Sequence, residues 1–368
     1  MRAVVYTETL QTIVLIFGAA TMTYMGLDAV GGWASMKQEL GPQFFNMWRS
    51  ASDPDFPWPS LFITSTIVGI WYWCTDQYIV QRALTAANIK EGRRGTIFGA
   101  LLKLMPVFLF LIPGVIALTL KQRGELHWDS PDQAFSVLLT SILPHGIRGL
   151  VAAGLLAALM SSLASVFNSC STLYTIDIYK KNNPDAPEKK LVQIGRYATV
   201  IIVLAGILWI PIMANISGVL YEYLQSVQAY ISPPITAIFL LGIFVPRINS
   251  NGAIATLITG FALGMLRILF ELLAKNGSLG TDNLLYNFGS MNFLHFGVIS
   301  FIICLGTAII VSLMSPKPAL ATIEGLTLQT MTEEQKAQNK NSYNWVDILA
   351  SLFVLILVIS IMVYFNGK

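Results

Sequence analysis

The sequence has few charged residues, few histidines and few cysteines, and each shortage excludes a class of protein. Charged residues make up 12% of the 368 residues and hydrophobic residues 54%, and the mean hydropathy is +0.62. These values are too apolar for a soluble domain and are typical of a polytopic membrane protein. The net charge of +3 is too small to indicate a nucleic-acid partner.

The cysteines and histidines indicate neither a disulfide framework nor a metal site. All three cysteines lie in apolar segments, at Cys74, Cys170 and Cys304, and an odd number inside such segments argues against disulfide pairing. The histidines show no metal-ligand spacing; they are His127, His145 and His295. No nucleophile–base pair lies within the apolar segments, so we do not expect an integral-membrane enzyme.

Nine apolar segments of about 17–28 residues are long enough to cross a bilayer. They run near Tyr6–Leu27, Leu61–Val80, Gly95–Leu118, Gly149–Tyr174, Val192–Met213, Val219–Phe244, Gly252–Leu272, Phe293–Leu313 and Trp345–Phe365. The sequence therefore predicts an all-α polytopic membrane protein with about nine transmembrane helices. The flanks of these segments differ in positive charge between the two sides of the membrane: fourteen Lys and Arg residues lie on one side and seven on the other. The positive-inside rule then places the N-terminus in the cytoplasm and the C-terminus outside.

The first apolar segment has a second interpretation. Arg2 followed by TIVLIFGAA resembles the basic and apolar regions of a signal peptide. Glu8 is an acid where such peptides prefer bases, so we favour a spanning helix.

The stretch from Leu150 to Tyr179 combines small apolar residues with hydroxyls. Sodium is a hard cation, and hard cations take oxygen ligands. The adjacent hydroxyls of Ser161 and Ser162, with the backbone carbonyl of Ala158, would supply three oxygens on one side of a cavity. Close packing of small residues between helices explains the same composition, and composition alone favours that explanation.

Polar and aromatic side chains occur inside other apolar segments. The rings of Tyr72 and Trp73 could stack on the apolar face of a sugar, and aromatic core packing is an equally good explanation. Lys103 lies about two turns into the third segment, where a binding role and snorkelling to the interface weigh evenly. Gln225 is a neutral amide of the kind that binds sugar hydroxyls.

Three further features predict local structure. Pro233 and Pro234 are expected to interrupt the sixth segment, and broken helices near the membrane midplane mark transporter sites. Arg267 and Glu271 are four residues apart and are expected to pair on one helix face. The polar stretch 315–344 is expected to be a mobile loop.

Seven motifs occur in order along the chain: YTETLQT at Tyr6–Thr12, WYWCTDQYIVQR at Trp71–Arg82, LKLMP at Leu102–Pro106, ALMSSLASVFNS at Ala158–Ser169, YTIDIYK at Tyr174–Lys180, YLQS at Tyr223–Ser226 and PPITAIFLLGIF at Pro233–Phe244. With these motifs the chain resembles the sodium/glucose cotransporters of the sodium:solute symporter family. The resemblance runs from about Val4 to about Gly252 and more faintly to the end.

The resemblance implies a core of two inverted five-helix repeats with accessory helices. The chain would then be one transmembrane domain, residues 1–368, containing only part of this inverted-repeat fold. Residues 1–60 would form the fifth core helix and an outer loop, 61–250 the second repeat, and 251–368 the C-terminal accessory helices. An accessory helix and core helices one to four would be missing.

The resemblance also assigns roles to particular residues. It implies a sodium site at Ala158, Ser161 and Ser162, and an ion path through Glu8 and Ser165. It implies sugar contacts for Tyr72, Trp73, Lys103 and Gln225. Gly69 stands where relatives have a Thr or Asn that contacts the sugar, which leaves the identity of the sugar open. Ala164 replaces a Thr associated with a second sodium, so we expect one sodium per sugar, although Ser165 and Glu8 could still assemble a second sodium site.

The implied function is sodium-coupled symport of a hexose or related sugar or polyol by alternating access in the plasma (inner) membrane, with membrane lipid and a small sugar as partners. The alternative is a non-transporting sugar sensor or leak channel of the same fold. Because helices would be missing, we expect the fragment to be inactive alone. A truncated copy, a partial gene model, and a separate chain that carries the missing helices all remain open.

Overall fold

The computed structural model describes residues 2–216 and 219–367, and the regular elements in these ranges are helical, as predicted. The α-helices are α1 (Arg2–Ala29), α2 (Gly32–Leu40), α3 (Trp58–Ile70), α4 (Gln77–Leu84), α5 (Ile89–Leu102), α6 (Ile112–Gln122), α7 (Ala134–Ile142), α8 (His145–Leu173), α9 (Glu188–Ile216), α10 (Leu220–Phe244), α11 (Ser250–Lys275), α12 (Leu284–Ser290), α13 (Phe293–Met314), α14 (Leu320–Ile323), α15 (Glu333–Asn341) and α16 (Trp345–Tyr364). Three π-helical segments adjoin them, at Trp71–Thr75, Val107–Leu111 and Tyr174–Lys180.

Eight helices in the described ranges are long and apolar enough to cross a membrane. They are Tyr6–Ala29, Ile89–Gln122, His145–Lys180, Glu188–Pro211, Leu220–Phe244, Ser250–Lys275, Phe293–Met314 and Trp345–Tyr364. The remaining predicted segment, Leu61–Val80, is divided. Its helix stops at Asp76, whose φ of −74° and ψ of 116° are extended rather than helical. The second predicted span is therefore a broken helix.

The chain forms two compact units. The first consists of Met1–Met47, Phe98–Val219 and Val354–Lys368, and the second of Trp48–Ile97 and Leu220–Phe353. These units are defined by contacts, and the predicted division into a repeat and accessory helices stays a prediction.

In the first unit, α1 packs closely on α8 because small residues lie at the contact. A Cβ added at Gly18 would overlap the Cγ2 atom of Val151, and a Cβ at Gly154 would lie 3.1 Å from Cγ1 of Val14. Such close approach is how helices associate where no hydrophobic effect drives them together. A side-chain core completes the unit, with Met22, Ile116 and Leu138 at its centre.

In the second unit, α10 packs against α11 and α13 and continues through both of its prolines. The predicted interruption at Pro233 and Pro234 is therefore wrong. The two prolines lack an N–H, so the helix loses two hydrogen bonds there. Both rings are buried, and Gly260 of α11 leaves room for the ring of Pro234. Packing against α11 compensates for the lost hydrogen bonds.

The polar stretch 315–344 folds into α14, a turn and α15, contrary to the expectation of a mobile loop. Thr332 and Gln335 form a reciprocal capping box at the start of α15. The backbone N–H of Leu328 donates to the carbonyl of Ile243 at the end of α10, at 3.0 Å. A local cap and hydrogen bonds to the end of α10 thus organise a segment whose composition is typical of disorder.

Candidate functional site

The hydroxyl-rich face of α8 carries the residues predicted to bind sodium. Four candidate residues share one face of this continuous helix, because Ser161, Ser162 and Ser165 follow Ala158 by three, four and seven positions. The Ser161 hydroxyl donates a 2.8 Å hydrogen bond to Oε1 of Glu8 on α1. The structure thus brings together two candidate residues that are 153 positions apart.

This face presents oxygens of the kinds that hard cations take. Ser161 and Ser165 are half-buried and Ser162 is exposed. A carbonyl that accepts one helical hydrogen bond keeps a second lone pair. The carbonyl oxygen of Ala158 can therefore also act as a ligand. Hydroxyl, carbonyl and carboxylate oxygens bind such ions without charge transfer.

The aromatic residues lie in the π-helical segment Trp71–Thr75, which we call the aromatic segment. The wider turn is closed by a 3.2 Å bond from the N–H of Asp76 to the carbonyl of Trp71. The rings of Tyr72 and Trp73 meet edge to face, with centroids 5.5 Å apart. Short π-helical stretches are frequent at functional sites, and this one ends directly at the helix break.

Tyr78 is a residue that the sequence did not single out. Its hydroxyl lies 2.6 Å from the hydroxyl of Tyr72, and the two rings meet at an interplanar angle of 79°. Residues six apart lie on different faces of a continuous α-helix, so this pair forms only because the helix breaks at Asp76.

The remaining sugar-site candidates are distributed over both units. In the second unit, α10 carries Gln225, whose side-chain amide donates to the Tyr221 hydroxyl at 3.2 Å, and α10 packs against the aromatic segment. Gly69 precedes that segment, and a Cβ added there would meet open space. Lys103 belongs to the first unit, where it is exposed in the turn that ends α5.

A buried charged cluster joins α10, α11 and α12 in the second unit. The predicted Arg267–Glu271 pair is confirmed at 3.2 Å, and the Tyr230 hydroxyl donates to Glu271 at 2.9 Å. Arg267 also donates to the carbonyls of Gly289 at 2.5 Å and Met291 at 2.7 Å. Tyr230 lies five residues after Gln225, so this cluster fixes the helix that carries the candidate amide.

Outside the spans, an exposed pair joins the end of α6 to α2 and to the end of α1 in the first unit. Arg123 bonds to both carboxylate oxygens of Glu39 and donates to the carbonyl of Val30 at 2.8 Å. The Arg123 hydrogen bonds hold the pKa of the Glu39 carboxyl below its usual value. The pair stabilises the local connection.

Comparison with known proteins gives the family. Residues 1–260 match the family described as "Sodium:solute symporter family". The chain is 35% identical to sodium/glucose cotransporter 1 of Ovis aries over 352 residues, covering 86% of this chain and 53% of that protein. It is 32% identical to sodium/myo-inositol cotransporter 2 of Oryctolagus cuniculus over 372 residues, covering 92% of this chain and 55% of that protein.

A solved structure shows a similar fold. It is the substrate-bound, outward-open state of a Na⁺-coupled sialic acid symporter, and it matches with a TM-score of 0.62 and 25% sequence identity, covering 86% of this chain and 63% of that one. The fold and the helices that are long and apolar enough to cross a membrane define an integral membrane protein. The chain belongs to the sodium:solute symporter family. It spans about half the length of the curated cotransporters it matches.

Proposed function

We propose that this chain takes part in sodium-coupled symport of a hexose or related sugar or polyol, by alternating access across the plasma membrane. The N-terminus would be cytoplasmic and the C-terminus outside. The observation that carries the proposal is the contact between Ser161 and Glu8 on the hydroxyl face of α8. The relatives named as sodium/glucose and sodium/myo-inositol cotransporters support both the ion and the class of substrate.

In the proposed mechanism, sodium binds to oxygens from Ala158, Ser161 and Ser162, and Glu8 and Ser165 line its path. The bound cation stabilises the outward-open state, and sugar binding followed by occlusion shifts the population toward the inward-open state. The absence of a hydroxyl at Ala164 favours one sodium per sugar.

The sugar would be held by rings and polar groups of different kinds. Tyr72 and Trp73 offer ring faces to the apolar side of a sugar, while Gln225 and Lys103 offer hydrogen bonds to its hydroxyls. Gly69 leaves one position of the site open, so the sugar contact made there by a Thr or Asn in relatives is absent.

The sodium ligands so far proposed are too few. A hard cation of about the size of calcium takes about six to eight oxygen ligands in proteins. One face of α8 offers three. We therefore propose that further ligands complete the site and that the 368-residue chain does not accumulate sugar by itself.

Uptake into proteoliposomes tests the proposal. Labelled glucose and myo-inositol are supplied under an inward sodium gradient to the chain alone and to the chain fused to the part of a sodium/glucose cotransporter that it does not span. We expect accumulation only with the fused protein and only with sodium. Sugar-evoked current without accumulation would favour a sensor or leak channel, and accumulation by the chain alone would contradict the need for further ligands.

A further inference from the structure

The helix break at Asp76 separates two short stretches that are tied together by side chains. On one side lies the aromatic segment, closed by the 2.6 Å bond from the Thr75 hydroxyl to the carbonyl of Trp71. On the other side lies α4, where Arg82 donates to the carbonyl of Tyr78 at 3.0 Å. Each stretch is braced by its own hydrogen bonds, and Asp76 between them is extended.

The Tyr72–Tyr78 pair crosses this break. Its hydroxyls are 2.6 Å apart, and its ring centroids are 6.1 Å apart in an edge-to-face arrangement. Both side chains are partly buried. A hydroxyl bonded to a neighbouring hydroxyl has less capacity for a ligand, whereas the face of the ring stays available for stacking.

We propose that Tyr78 is a positioning residue: its hydroxyl holds Tyr72 across the helix break, so that Tyr72 offers its ring face, and not its hydroxyl, to the sugar. This inference deepens the proposed function and rests on it for the identity of the ligand. Holding the ring in place before binding lowers the cost of ordering it when the sugar arrives.

Chemical labelling tests the Tyr72–Tyr78 contact without a transport assay. Cys74 is exposed and lies within the aromatic segment, whereas Cys304 is buried. The rate of N-ethylmaleimide labelling at Cys74 in the detergent-solubilised chain, followed by mass spectrometry of its peptide, reports the conformation of the segment around this exposed thiol. Protection of Cys304 in the same samples shows that the fold is intact.

We expect Tyr78→Phe and Tyr72→Phe each to change the Cys74 labelling rate by the same factor, about two- to tenfold, which is the equilibrium equivalent of one neutral hydrogen bond. The double variant should match either single variant, because all three lose the same bond. Tyr24→Phe, at a tyrosine that is 77% exposed on α1, should label like the wild type. Unchanged rates in Tyr78→Phe, or additive effects in the double variant, would overturn the proposal.

Uptake by the fused transporter tests the role toward the sugar. Tyr78→Phe should raise the sugar concentration for half-maximal uptake about two- to tenfold and leave the sodium dependence unchanged, and Tyr72→Phe should do the same. A much larger loss in Tyr72→Phe would show that its hydroxyl binds the sugar directly and would refute the ring-face assignment. Labelling that follows the expected pattern with no uptake in any variant would refute the proposed function and leave the Tyr72–Tyr78 contact standing.

Discussion

The two helices that carry the candidate ligands are held in place by different means. In the first unit, α8 is held against α1 by shape, through Gly18 and Gly154. In the second unit, α10 is held by a hydrogen bond to a charged group: Tyr230 donates to Glu271 of α11, which pairs with Arg267 of the same helix. Hydrogen bonds to ionised groups are about twice as strong as neutral ones, whereas a contact of small residues depends on close approach alone. We infer that α10 is the more firmly anchored of the two site-bearing helices within its own unit.

Removal of the buried arginine should have the largest effect. Arg267→Met removes a buried guanidinium that bonds to Glu271 and to two backbone carbonyls, and breaking a buried pair in this way costs about 3–5 kcal/mol. Thermal unfolding in detergent should occur at a markedly lower temperature. The matched control is Lys275→Met, which removes the other cation from the same carboxylate.

The Lys275 side chain is 47% exposed, against 4% for Arg267. An exposed pair contributes about 0–1 kcal/mol, so the control should unfold close to the wild type. Equal losses of unfolding temperature in the two variants would show that burial does not distinguish the two cations. The comparison between the two units would then be contradicted.

Crowding at the α1–α8 contact should have an intermediate effect. Gly18→Ala places a methyl group into Val151, and overpacking of this kind costs about 1–3 kcal/mol. Gly149→Ala on α8, where an added Cβ meets open space, should not lower the stability by overpacking. The Gly18→Ala/Val151→Ala double variant should recover stability, since it restores the room. Failure of this rescue would argue that shape does not hold α8.

The sequence predicted the helices well and the tertiary contacts poorly. Hydrophobic runs predict spans because the bilayer fixes their length, and the spacing of Ser161, Ser162 and Ser165 predicts their common face. Two prolines at 233 and 234 suggested a break that packing against Gly260 prevents. Composition alone also missed the capping box at Thr332, which is a local signal that could have been found.

The missed residue is Tyr78, and the reason is geometric. Its contact with Tyr72 needs a break at Asp76, and nothing in the local sequence specifies an extended residue there. The contact of Ser161 with Glu8 is a long-range one, which helix periodicity cannot predict; only the resemblance to known cotransporters suggested it. The ligand roles of these residues stay predictions.

Loss of the candidate amide should weaken sugar binding without loosening α10. Gln225→Ala in the fused transporter leaves a sugar hydroxyl without its partner, a cost of about 1–3 kcal/mol, and should raise the half-saturating sugar concentration about 5- to 150-fold. Lys103→Ala should act in the same direction. Gln193→Ala, at an exposed position of α9, is the control. Unchanged uptake kinetics in both site variants would remove them from the sugar site.

The smallest effect should come from the exposed pair of Glu39 and Arg123. The pKa of Glu39 is lowered in the folded state by the Arg123 hydrogen bonds, so the pair stabilises the protein above the ordinary glutamate pKa of 4.5. That contribution is lost as the pH falls through the lowered value. Unfolding temperatures between pH 3 and pH 6 should therefore fall slightly more in the wild type than in Glu39→Gln. The opposite order would show that the pair does not favour the ionised carboxylate.

Sodium activation of sugar uptake tests the central claim most directly. In the fused transporter, Ser161→Ala and Ser162→Ala each remove one proposed oxygen ligand, and a lost bond to a charged partner costs about 1.5–3 kcal/mol. We predict that each variant raises the half-saturating sodium concentration at least about tenfold, while Ser136→Ala, at an exposed serine of α7, leaves it unchanged. Uptake with wild-type sodium dependence in both α8 variants would contradict a sodium site on this face.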